Sequence, residues 1–274
     1  MSGIFMPYIG IAGQQGYVAP SSIPNLSLWY NASASSTVVN NVTTNNFDVT
    51  VSNGTAIGTW NDLSGAGHGA NVNGGAGKKP SYATPIQNGL GAVQYASASS
   101  NNLDINPIAW FDSTGATIVS GFTIFVIARP TSLPITLFPL VVTDNSTGIW
   151  WNGTNWSIGL TQGKFGTATV TNDTTKFHKY GIVYDGTQGG NAGRLKFIYD
   201  GIQQALTFTG TIPANTGAQA YMYFGGDNRG GAAGGALKAT YMDGYIGEVL
   251  IWTRTLTAAE LINVDGYIST KWNI

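Results

Sequence analysis

Asp243-Gly-Tyr-Ile-Gly-Glu-Val-Leu-Ile-Trp-Thr-Arg-Thr-Leu-Thr-Ala-Ala-Glu260 is the stretch on which the fold turns. Residues 245–252 are crowded with β-branched and aromatic side chains, as expected of a strand covered on both faces. At Thr257 the pattern changes to a helix start. The Thr257 hydroxyl can accept from the first turn, and Glu260, three residues on, can reach back to the Thr257 backbone N–H. Leu261, Val264, Tyr267, Ile268, Lys271 and Trp272 then recur at helical spacing, which predicts one apolar stripe closing over the end of a sheet. A buried strand passes directly into a short capped helix.

Outward from that stretch the chain reads as β-strands. Residues 26–30 and 56–60 form early strands, and 31–46 a loop or weak edge hairpin. The acid in the Trp60-Asn-Asp62-Leu-Ser64 run is a turn residue that accepts backbone N–H bonds. Residues 69–79 form a Gly-rich loop, with strands at 93–95 and 103–105. Residues 121–129 are apolar on both faces and predict a central strand. Pro130, Pro134 and Pro139 predict an irregular section. Asn152-Gly153 and Asp200-Gly201 each sit between strand-like runs and supply the positive φ of two-residue hairpin turns. Turn signals recur about every ten residues, with helix only at the end, which predicts an all-β, two-sheet antiparallel sandwich.

Composition narrows the function classes. Of 274 residues, 9% are charged and 43% hydrophobic, with a net charge of −1, so nothing draws the chain to nucleic acid or an anionic membrane. Without cysteine there are no disulfides, thiolate metal sites or thiol nucleophiles. No run is long and apolar enough for a membrane span. The first acid is Asp48 and the first base Lys78. Residues 1–24 read as an extended arm in which Ile4, Phe5, Met6, Tyr8, Ile9 and Ile11 are punctuated by Gly and Pro. An uncharged, apolar arm is unlike a disordered tail and predicts packing on a partner. It also lacks the basic n-region of a secretory signal, so the expectation is export by another route or inside a particle. Sequons at Asn25, Asn31, Asn41, Asn53, Asn145, Asn152, Asn155 and Asn172 follow from the Asn/Ser/Thr-rich composition.

The order Gly244-Tyr-Ile-Gly-Glu-Val-Leu-Ile-Trp252, Arg254, Leu256-Thr-Ala-Ala-Glu260 and Tyr267…Lys271-Trp272 resembles the C-terminal signature of the laminin-G-like branch of the concanavalin A-like lectin/glucanase superfamily. Trp60-Asn-Asp-Leu-Ser-Gly-Ala-Gly67 resembles its N-terminal signature. Phe122-Thr-Ile-Phe125, Val183-Tyr-Asp-Gly186 and Tyr199-Asp-Gly201 fall between them in the usual order. The resemblance implies a jelly-roll over residues 25–274, preceded by the arm and closed by the short helix. It also implies a setting, because proteins similar in these motifs are common among phage head-decoration and tail-fibre components.

Three chemistries are open to a fold of this kind. Glycosidases of the superfamily work with paired carboxylates. The only glutamates are Glu248 and Glu260, one mid-strand and the other in the capping box. Asp185, Asp200 and Asp243 each precede Gly as turn residues, and His68 and His178 belong to no Ser-His-Asp grouping. No enzymatic activity is therefore expected. A calcium site would need several oxygens on one loop, and Asp144-Asn145 or Asp227 offers a single carboxylate each. No metal or cofactor is expected. Neutral polysaccharide is the third possibility, held by Trp150 or Trp151 with Asn152 and Trp156 and by the Asp227-Asn228-Arg229 loop, since aromatic faces and amides suit sugars. Side chains alternate along a strand, so only one of Trp150 and Trp151 can point inward. The expectation is a virion-surface protein, anchored to other virion proteins by its arm, self-associating as a dimer or trimer and touching cell-surface polysaccharide weakly. The alternative is a secreted carbohydrate-binding module.

Overall fold

The computed structural model describes residues 17–40, 51–72, 78–105, 119–134, 138–143, 146–216, 221–227 and 238–274. Among these, two large antiparallel sheets of eight and ten strands face each other, with a small two-stranded sheet beside them. The arm residues Ile4, Phe5, Met6, Tyr8, Ile9 and Ile11, together with Asn228 and Arg229, lie outside the described residues.

The strand Gly244–Trp252 is the hub of the eight-stranded sheet. On one side it pairs along its length with the central strand Gly121–Pro130. On the other, its first three residues pair with Leu90–Tyr95 and its last five with Leu26–Asn31. The switch occurs at Gly247, where the register against Gly121–Pro130 slips by one residue. This bulge leaves Ile246 and Val249 facing the sandwich interior while Leu250 and Trp252 face outward. In the central strand, Ile124 and Val126 look into the sandwich while Phe125 and Ile127 look out. Both faces are covered, as the sequence predicts.

What covers the outer face is the C-terminal helix, Ala258–Trp272. Its start carries the expected reciprocal cap between Thr257 and Glu260. Its buried residues Val264, Ile268 and Trp272 pack on Phe125, Ile127, Leu250 and Trp252. The helix therefore lies on the face of the sheet and not over its end. Residues 17–24, grouped with the arm in the sequence reading, also lie against this layer: Ile23 is buried there, and the Tyr17 ring sits on the helix at Gly266.

Other differences have local causes. The Asp200-Gly201 turn has two residues, both at positive φ (49° and 78°), between paired Tyr199 and Ile202. The Asn152-Gly153 turn is longer than predicted. Trp151 pairs with Trp156, leaving a four-residue loop whose shape is set by Asn152 Oδ1 accepting from the Thr154 and Asn155 N–H groups. The section predicted to be irregular contains the strand Phe138–Thr143, with Pro139 accommodated where the register against Gly148–Trp151 shifts. The strand expected over 56–60 shrinks to Thr59–Trp60, and the Gly-rich loop contains the short strand Ala70–Asn71. A five-residue helix, Gly190–Arg194, was not foreseen.

Candidate functional site

The two adjacent tryptophans separate as alternation requires. Trp151 joins the interior core, donating its indole N–H to the Pro134 carbonyl. Trp150 lies on the outer face of the ten-stranded sheet with Val142 and Tyr223, and Phe165 packs against the group. It lies flat there because its neighbour is glycine: a Cβ on Gly159 would come within 2.4 Å of Trp150 Cη2. Phe165, opposite Gly159 on the next strand, meets the indole edge to face at 5.9 Å and 64°.

Together these side chains shape a cleft of about 290 Å³. Trp150 forms the floor and partly buried Phe165 a wall, with Asn152, Ser157, Ser146 and Thr161 supplying polar groups. Trp150 is only 5% exposed, so its ring supports the cleft without offering a free face. The accessible aromatic is Phe165, which the sequence reading missed. The signal was available: Gln162-Gly163 closes a hairpin that pairs Thr161 with Lys164, with Gly163 at φ 73°, and that turn sets Phe165 beside Gly159.

The other expected ligand residues do not converge here. Trp156 is fully buried in the interior, donating to Asn172 Oδ1 at 2.6 Å. Asp227 is buried in the strand Gly226–Asp227, where it accepts from Thr240 Oγ1, and it does not line the cleft. Of the residues singled out for sugar contact, the structure brings Trp150 and Asn152 together.

Both glutamates are held in structural contacts. Glu248 is fully buried between sheet and helix. Its Oε1 accepts from Trp29 Nε1 at 2.7 Å and the Tyr267 hydroxyl at 2.8 Å; its Oε2 accepts from Lys271 Nζ and Trp272 Nε1, both at 2.8 Å. Burial drives the Lys271 pKa down against the pull of Glu248, and burial with the nearby carboxylate drives Tyr267 up. Glu260 is gripped by Arg254 through both oxygens, at 2.6 and 2.8 Å, and caps Thr257. The Arg254 hydrogen bonds hold its pKa at about 2. A general acid needs its pKa raised, so this is the wrong direction for protonating a glycosidic oxygen.

The aspartates are anchored too. Asp62 accepts from the Trp29, Ser64 and His68 N–H groups, tying the first strand to the N-terminal signature loop. Asp243 does more than shape a turn, accepting from both the N–H and the hydroxyl of Ser97. Asp200 pairs with His178 Nδ1 at 2.7 Å, a contact the sequence did not reveal, while His178 Nε2 meets the Asp173 carbonyl at 2.8 Å. Among the described residues no three His, Cys, Asp or Glu side chains group as metal ligands. No helix among them is long and apolar enough to cross a membrane.

Residues 91–262 match the family profile described as the concanavalin A-like lectin/glucanases superfamily. The chain belongs to this superfamily. No curated protein sequence matches it. Among solved structures it is similar to the binding domain of Paraclostridial Mosquitocidal Protein 1 (13% identity, TM-score 0.56, covering 91% of this chain and 53% of that one). It is also similar to domain 4 of AbnA, an extracellular arabinanase from Geobacillus stearothermophilus solved with arabinotriose (12%, 0.51, 88% and 98%). A third similar structure is Trypanosoma rangeli sialidase in complex with the inhibitor DANA (13%, 0.53, 90%). The chain spans about a third (34%) of that sialidase. At these identities the likeness is one of fold.

Proposed function

We propose that this superfamily member is a non-catalytic carbohydrate-binding domain, displayed on a virion surface through its N-terminal arm. The observation that carries the binding reading is the outer-face cleft, where an apolar floor and wall meet amide and hydroxyl groups with no charged side chain among the lining residues. This combination suits the C–H faces and hydroxyls of a neutral sugar. Absence of catalysis is supported by the commitment of Glu248 and Glu260 to buried or chelated contacts. The likeness to an arabinanase domain solved with arabinotriose, matched over 98% of that domain, makes a secreted module the second reading.

The virion setting is supported by the arm, residues 1–24, which is rich in apolar side chains and has no charged one. A single shallow cleft gives weak affinity, and many copies on a particle or in a dimer or trimer would convert it to avidity. A glycan array probed with the isolated chain and with a multivalent display tests the binding reading. Retention by neutral glycans is expected for the multivalent form; retention of neither form would leave a purely structural role, and turnover of any arrayed glycan would overturn the non-catalytic reading.

A further inference from the structure

Resting on the carbohydrate reading, we infer that the cleft is a subsite for a single uncharged sugar ring, with the Asn152 amide as its fixed hydrogen-bond donor and Ser157 as the residue that positions that amide. Asn152 is exposed at the rim, yet its side chain is tied down. Its Oδ1 accepts from the Thr154 N–H at 3.0 Å and the Asn155 N–H at 2.8 Å. Its Nδ2 donates to the hydroxyl of fully buried Ser157 at 3.0 Å. An amide nitrogen carries two protons, so one remains for a ligand, held by three existing bonds. Orientation fixed before binding reduces the entropy lost on binding.

Ser146, 7% exposed on the cleft lining, has no partner for its hydroxyl among the described residues, and a hydroxyl both donates and accepts as sugar hydroxyls do. Phe165 supplies the apolar surface. The volume of about 290 Å³ lies at the lower end for ligand sites, which limits occupancy to about one ring.

Charge decides the sugar class. An acidic sugar would bring a carboxylate against Phe165 and Trp150 with no cation among the described lining residues to meet it, at a large desolvation cost. The neighbouring cation, Lys164, precedes Phe165 on the same strand and so points to the opposite face, where its Cγ lies beside Gly210.

The test compares lactose with sialyllactose, which differ by one carboxylate-bearing residue, and adds arabinotriose. Each is titrated against the full chain and against Asn152→Asp, Ser157→Ala and Phe165→Ala, with thermal midpoints recorded for every variant. Asn152→Asp is the sharpest variant, because a carboxylate keeps both turn-forming acceptor bonds while removing the donor. Neutral sugars are expected to bind more tightly than sialyllactose, with Asn152→Asp weakening them about tenfold, the worth of one hydrogen bond. Ser157→Ala is expected to weaken them less, and arabinotriose affinity to follow the same order. Tighter binding of sialyllactose than of lactose would overturn the uncharged-sugar assignment while leaving carbohydrate binding intact. Neutral binding unchanged by both Asn152→Asp and Phe165→Ala would overturn the site. Failure of every sugar, monovalent and multivalent, would overturn the carbohydrate reading itself.

Discussion

Lys271→Met should destabilise the fold far more than its position in the last helical turn suggests. The lysine neutralises Glu248, whose carboxylate is fully buried and bonded at 2.7–2.8 Å to two indoles, a phenol and the ammonium. The Lys271 side chain is itself only 16% exposed, so solvent screens the pair little. Breaking a buried pair from one side leaves an uncompensated charge, at a cost of about 3–5 kcal/mol. Glu248→Leu should cost a similar amount from the other side. The double variant removes both charges and should be at least about 2 kcal/mol less destabilised than the sum of the singles. It will not return to wild type, because the Trp29, Tyr267 and Trp272 donors lose their acceptor at about 1–3 kcal/mol each. Urea unfolding monitored by tryptophan fluorescence reads this directly, since two of the reporters are ligands of the carboxylate. A loss below about 1 kcal/mol for Lys271→Met, or strict additivity in the double variant, would refute the argument.

Three further outcomes follow from the same layer and its surroundings. Gly247→Ala places a Cβ 2.1 Å from Trp272 Cη2 and should lower stability by about 1–3 kcal/mol; an unchanged urea midpoint would contradict this. Removing residues 1–24 takes away buried Ile23 and the Tyr17 contact with the helix, so it should lower the thermal midpoint relative to removing residues 1–16, and equal midpoints would show that 17–24 contribute nothing. His178 should make stability pH-dependent: burial pushes its pKa down, but the Asp200 carboxylate and the Asp173 carbonyl push it up further, to a net value above 6.5. A raised folded-state pKa contributes stability that is present below the unfolded value and lost as pH rises through the folded one, so the midpoint should fall as pH rises above about 6.5. His178→Gln should flatten the slope, and an unaltered slope would assign it elsewhere.

What was legible in the sequence was local or periodic. The Thr257–Glu260 cap lies within four residues, and the outward turn of one tryptophan from the 150–151 pair follows from strand geometry alone. Asp200-Gly201 reads correctly because both positions need positive φ in a two-residue turn, whereas Asn152-Gly153 misleads because the Asn152 carboxamide organises a longer loop. The cleft was only half legible. Trp150 and Asn152 are neighbours in sequence, but Phe165 joins them through cross-strand register. The Glu248 cage was hidden more deeply, since Trp29 reaches it across 219 residues of chain. Pro139 misled for the opposite reason, because a register shift lets proline sit inside a strand.

The two outer faces of the sandwich differ in a way that bears on where a ligand can bind. The eight-stranded sheet spends its outer face on the C-terminal helix, and the contacts there are mutually locked: Trp272 lies on Gly247, stacks on Phe177 at 5.3 Å and donates to Glu248. A ligand entering that layer would have to displace an indole from a buried carboxylate. The ten-stranded sheet carries no such helix among the described residues, and at Gly159 it gives up a side chain so that Trp150 can lie flat. The C-terminal family signature, Gly244 to Trp272, thus supplies much of the closed face. The cleft uses residues 146–165, which the signature does not include. The motif that reveals the fold and the residues that line the cleft are thus separate, so substitutions at Asn152, Ser157 or Phe165 need not disturb the closed face, although the family profile, matched over residues 91–262, spans both.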